Sequence, residues 1–223
     1  LGESRLLAWP DGLSELQALS HLDMLGCLDD GEASTEVVLP PRLESLALGV
    51  LCECGEHPPL PLPSLTHLTA MRHLQCRRCE HEPVLKALPL LRSISSLELS
   101  CCYFDEMDEL PLQHLPALES LTLEDCQLGS APLGLLACTR LTKLELSHNP
   151  LGCKTSQLAL PESLTQLQHV GLPHAGLPHL TYLSLDGNSI PEFPADQQGW
   201  LLTLFPTLSS AGGINKEHSK LAA

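Results

Sequence analysis

Aromatic residues are scarce in this chain: 3% of it, with two tryptophans, two tyrosines and three phenylalanines in 223 residues. A core of that size usually draws much of its buried area from rings, so another side chain must fill the interior. Hydrophobic residues still reach 43%, and most of them are leucine. One filler used again and again implies one structural slot used again and again, so internal repeats are the first thing to look for. Positive charge is also short, with 12 Lys and Arg against 27 Asp and Glu, for a formal net charge of −15. Phosphate backbones and anionic lipid surfaces would repel such a chain. That argues against nucleic acid and membrane as partners and for a protein with a basic patch. No run approaches the roughly 18 apolar residues of a membrane span. Leu1 to Pro10 lacks the basic-then-apolar pattern of a signal peptide, and the sequence, starting at a leucine, reads as a fragment or trimmed domain.

Chemistry is equally short of material. Eleven histidines and many carboxylates are present, but no spacing fixes a nucleophile beside a base, and no glycine-rich phosphate loop occurs. The expectation is a non-enzyme without cofactor or metal. No Asn-x-Ser/Thr acceptor exists either, since Asn149 precedes Pro150, Asn188 is followed by Ser189-Ile190 and Asn215 by Lys216-Glu217.

What is present is a pattern, L-x-x-L-x-L-x-x-(N/C)-x-L. Full copies are Ile94-Leu97-Leu99-Cys102-Phe104, Leu118-Leu121-Leu123-Cys126-Leu128, Leu141-Leu144-Leu146-Asn149-Leu151 and Leu180-Leu183-Leu185-Asn188-Ile190. Looser copies begin at Leu19, Leu43, Met71 and Leu167, the last with Ala175 in the Asn/Cys slot. In L-x-L the leucines alternate with outward residues, as a short strand requires, and the Asn/Cys slot falls where the chain turns out of that strand. Between strands, apolar residues recur about every third position (Leu13-Leu16-Leu19, Leu112-Leu115-Leu118), a spacing that suits short 3₁₀ turns. The 13-residue step from Leu167 to Leu180 is too short for a coil. It coincides with the direct repeat Gly171-Leu-Pro-His174, Gly176-Leu-Pro-His179. Either a deletion shortened one unit, or residues 141–180 form one 39-residue repeat.

The pattern resembles the leucine-rich-repeat family, in the form of its intracellular, plant- and algal-like repeats. The resemblance implies an α/β solenoid: a curved horseshoe with a parallel β-sheet on the concave face and short helices, 3₁₀ turns and loops on the convex face. Residues 1–208 are expected to hold about seven to eight repeats, open at the N-terminus, with Trp200 to Phe205 as a C-terminal cap. Residues 209–223 are expected to form a flexible tail. The resemblance further implies protein–protein interaction; the alternative is the truncated recognition domain of a larger receptor, kinase or ubiquitin-ligase adaptor.

Ten cysteines require an explanation. Cys52-x-Cys54 followed by Cys76-x-x-Cys79, with His57, His73 and His81 nearby, has the spacing of zinc ligands. The repeat accounts for them otherwise. Cys27, Cys79, Cys102 and Cys126 fall on the Asn/Cys slot, and Cys76 on an inward leucine slot. Cys52 joins the series if the copy at Leu43 carries one extra residue. Cysteines used as small hydrophobes inside the ladder point to a reducing, cytoplasmic compartment.

The outward residues of each L-x-L strand then predict the concave lining. The candidates for partner binding are Asp23, His73, Gln75, Arg77, Glu98, Ser100, Thr122, Glu124, Lys143, Glu145, Tyr182 and Asp186. Glu98 to Glu145 is expected to be an acidic centre, with His73, Arg77 and Arg78 making the N-terminal side locally basic. The competing reading is a solvated sheet face with no ligand.

Overall fold

The computed structural model describes residues 9–27, 36–50, 59–104, 110–129, 132, 134–151, 177–184, 187–188 and 210–212. Within them one parallel sheet runs the length of the molecule in strict chain order. Its strands are β1 (His21–Leu25), β2 (Ser45–Gly49), β3 (His73–Arg77), β4 (Ser96–Ser100), β5 (Ser120–Glu124), β6 (Lys143–Glu145), β7 (Tyr182–Ser184) and β8 (Ser210–Gly212). This is the expected solenoid. A strand that pairs only with its two chain neighbours buries one side of the sheet against the returning chain and leaves the other open.

The register puts like on like. Leu22, Leu46, Leu74, Leu97, Leu121, Leu144 and Leu183 form one continuous inward row. Met24, Leu48, Cys76, Leu99 and Leu123 form the next. From the second repeat on, the residue that opens the repeat (Leu43, Met71, Ile94, Leu118, Leu141, Leu180) is fully buried behind them, whereas Leu19 is half-buried. Three-residue 3₁₀ turns begin at Leu13, Leu88, Leu112 and Leu135, and a short helix α1 (Glu82–Ala87) precedes the second of these. The every-third-residue spacing predicted such turns on the convex side. Leu112, Leu115 and Leu118 are all buried, whereas Leu16 in the first repeat is 49% exposed.

Tyr182 pairs directly with Lys143, and the Thr181 amide donates to the Thr142 carbonyl at 2.8 Å, so no strand intervenes between β6 and β7. The two paired strands begin 39 residues apart in the chain. Residues 167–176 themselves lie outside the described residues. Ser210–Gly212, assigned from sequence to the flexible tail, pairs with β7 as the eighth strand. Only Ala211 stands in the leucine row there, so no leucine pattern marks it. The proposed cap from Trp200 to Phe205 lies outside the described residues.

Six of the strands, β1 and β3 to β7, leave the sheet through a shared bend. A left-handed residue directly follows β1, β3, β4 and β5 (Gly26, Arg78, Cys101, Asp125) and stands three residues after β6 and β7 (His148, Gly187), with φ between 54° and 68° except Asp125 at 49°. The next residue is the Asn/Cys slot, whose side chain turns inward to meet backbone carbonyls. Cys79 Sγ donates to Arg77 O at 3.4 Å, and Cys102 Sγ to Cys76 O at 3.4 Å. Cys126 Sγ donates to Leu99 O at 3.3 Å. Asn149 does more: its Nδ2 donates to Leu123 O, Leu146 O and Ser147 O at 2.7–3.1 Å. Its Oδ1 accepts from the amides of Cys126 (2.9 Å) and Leu128 (3.1 Å). Asn188 Nδ2 extends the series to Leu146 O at 2.8 Å.

Candidate partner-binding face

The pleat sends alternate side chains of every strand to the open face, and the parallel register aligns them in rows. The first row reads His21, Ser45, His73, Ser96, Ser120, Lys143, Tyr182. The second reads Asp23, Ala47, Gln75, Glu98, Thr122, Glu145, Ser184, and the third Leu25, Gly49, Arg77, Ser100, Glu124. Eleven of the twelve candidates therefore stand on one face; Asp186 lies outside the described residues.

The rows contain local pairs that spacing in the sequence does not show. Gln75 Nε2 donates to Glu98 Oε1 at 2.7 Å. Lys143 Nζ lies 3.0 Å from Glu145 Oε2 and 5.7 Å from the centre of the Tyr182 ring, while Ser147 Oγ donates to Glu145 Oε1 at 3.2 Å. Glu145 is thus neutralised beside its own strand neighbour. Among the described residues no lysine or arginine pairs with Glu98 or Glu124. The acidic centre therefore rests on those two carboxylates more than on Glu145.

Ser100 and Thr122 occupy the expected rows but are buried, at 4% and 7% exposure. They present little surface to a partner. Arg78, read as part of a basic N-terminal side, is also buried, at 7%, so Arg77 and His73 carry that end. Small outward residues that were not among the candidate contacts shape the surface: Ser45 and Ala47 in β2 leave an open depression of about 110 Å³ walled by His73, Gln75, Ser96 and Glu98. Three consecutive outward positions in one strand held by Ser, Ala and Gly (Ser45, Ala47, Gly49) are its signature in the sequence.

The described thiols are set by the core they stand in. Cys76, Cys79, Cys102 and Cys126 are buried. Thiol contact with Cys79 and burial raise the pKa of Cys76. Burial raises that of Cys102, and pushes Cys126 up to about 12 and Cys138 to about 11. These groups stay protonated donors, the opposite of the thiolate that metal ligation and nucleophilic attack need. Among the described residues no group of three or more His, Cys, Asp or Glu side chains is placed to hold a metal; Cys52, Cys54 and His57 lie outside them. Among the same residues no helix is long and apolar enough to cross a membrane.

No protein-family model matches the sequence, and no curated protein resembles it significantly. Among solved structures it is similar to a leucine-rich-repeat protein of Leptospira interrogans. The TM-score is 0.57 at 21% identity, over 94% of this chain and 52% of that one. The chain thus spans about half the length of the protein it matches, and the likeness is one of fold.

Proposed function

From a chain with the leucine-rich-repeat solenoid fold, we propose a non-catalytic protein-interaction module that holds a basic partner protein on the concave face of its sheet. The fold is one typically used for binding rather than catalysis. The observation that supports this face is the pair of half-buried carboxylates, Glu98 and Glu124, standing on adjacent rows without a cationic partner among the described residues. A carboxylate held on a rigid strand with no cation beside it favours an incoming cation at little cost in ordering. The proposed contacts are the predicted ones: Asp23, His73, Gln75, Arg77, Glu98, Glu124, Lys143, Glu145 and Tyr182, with Asp186 kept as a candidate and Ser100 and Thr122 as buried supports. The compartment proposed is cytoplasmic, because the ladder uses Cys79, Cys102 and Cys126 as thiol donors and so needs them reduced.

Capture from cell extract tests the reading, comparing the native chain with a Glu98→Lys, Glu124→Lys, Glu145→Lys variant of matched circular dichroism. A protein retained by the native chain, lost by the variant and weakened by added salt supports the proposal. An identical retained set from both chains removes the concave face from consideration.

A further inference from the structure

We propose that the depression over Ala47 is a specificity pocket for a single arginine side chain of the partner. The inference rests on the concave-face reading and names the residue class that the face selects. The pocket sits where the outward side chains of β2 shrink to Ser45 and Ala47 while His73, Gln75, Ser96 and Glu98 rise beside them. Its polarity is one-sided. Glu98 is its one formally charged lining group among the described residues, and Arg77 is not part of the lining.

Gln75 could have presented either end of its amide, but its Nε2 is committed to Glu98 Oε1. That leaves the Gln75 carbonyl oxygen and the second Glu98 oxygen as acceptors. Asp23 extends the same row one strand away, beyond Ala47. Its Oδ1 already accepts from the Leu25 amide at 3.0 Å, so its charge is fixed in place. A guanidinium brings a planar fork of donors that can meet a carboxylate and a neighbouring carbonyl together. A lysine ammonium is a single strongly hydrated point and gains less from two separated acceptors. An anionic side chain would meet Glu98 directly. Leu46 and Leu74 also line the depression, but their side chains belong to the inward row, so the apolar contact offered to the arginine stem is the Ala47 methyl.

The test uses the full, isotope-labelled chain and a small probe, N-acetylarginine methylamide, followed by amide chemical shifts. The isosteric neutral control is the citrulline analogue. The expected result is a saturable shift of the Gln75 side-chain amide and of the Ala47 and Glu98 backbone amides. Citrulline should bind about tenfold or more weakly, as should arginine to Glu98→Gln, a loss in the range of one charged hydrogen bond. Ala47→Leu, which fills the pocket with no change of charge, should abolish the shift, and Ala47→Ser should keep it. Absence of saturable shifts at Ala47 and Gln75, equal binding of citrulline, or binding unchanged in both Ala47→Leu and Glu98→Gln overturns the pocket. Should the probe fail while capture from extract still depends on Glu98 and Glu124, the pocket falls and the binding face stands. Should the probe bind while capture is insensitive to the carboxylates, the pocket stands and the broader reading falls.

Discussion

At the scale of the residue, the bend after these six strands stores the most local strain. A left-handed backbone costs a residue with a Cβ about 1–2 kcal/mol, yet Arg78, Cys101, Asp125 and His148 all adopt it, and so does Gln127 at φ 60°. Gln127 is exposed, which makes it the cleanest probe. Gln127→Gly should raise stability by about 0.5 kcal/mol, strain relief exceeding the added freedom of the unfolded chain, as read from urea midpoints. The reverse applies at Gly49, where φ is 148° and an added Cβ would run into the backbone and Cβ of Arg77. Gly49→Ala should cost about 2 kcal/mol or more; a midpoint within error of the native chain would mean that β2 ends differently.

The thiols titrate on the same scale. Cys126 and Cys138, with ordinary values near 9, are pushed up to about 12 and about 11 by burial. Below pH 9 both folded and unfolded chains keep these protons, so stability is level. Above it the unfolded chain releases protons that the folded chain retains, and stability falls until the folded values are passed. Denaturation midpoints should therefore decline steadily between about pH 9 and pH 12. Mass-mapped alkylation at pH 8 should label the half-buried Cys27 and Cys101 before Cys102 and Cys126; uniform labelling would show that the ladder opens easily.

At the scale of the element, the Asn/Cys slot decides how firmly neighbouring coils are tied. A thiol donates weakly, at 3.3–3.5 Å in Cys102 and Cys126, so removing one by Cys→Ala should cost about 1 kcal/mol, mostly as lost packing. Asn149 ties two coils with five hydrogen bonds, three given and two received. Asn149→Ala strands buried amides of Cys126 and Leu128 and should cost about 2–4 kcal/mol, with Asn149→Cys in between. Equal costs for Asn149→Ala and Cys126→Ala would show that packing, not the amide, sets the slot. This slot was legible in the sequence because Cys or Asn recurs there. The left-handed position just before it was not. It holds Gly26, Arg78, Cys101, Asp125, His148 and Gly187 in six of the repeats, so no residue type announces a conformation that the shared backbone bend imposes. Arg78 illustrates the point: its charge suggested surface, whereas its place in the bend buries it. The open face was legible as a set of outward positions. Its internal pairs were not, because Gln75 with Glu98 and Lys143 with Tyr182 depend on register across strands.

At the scale of the whole molecule, stability is the sum of coils and of the contacts between neighbours, so it need not be even along the array. From β1 to β5 each strand pairs with the next over five residues. From β5 to β8 the pairing falls to three. Across β6 and β7 the chain must also close a 39-residue excursion in place of the 23 or 24 residues that separate β3, β4, β5 and β6. The row of register partners ends at Ala211, where the leucine pattern stops. Each of these weakens the same end. The array should therefore open from β8 inward, and hydrogen exchange should show the amides of Leu97, Leu99, Leu121 and Leu123 protected by most of the global stability. Leu183 and Ala211 should exchange through cheaper local openings. Deleting residues 209–223 should then leave protection in β2 to β5 unchanged while exposing β7. Loss of protection throughout the sheet on that deletion would mean that β8 closes the core of a single cooperative unit rather than capping the weak end of a graded one.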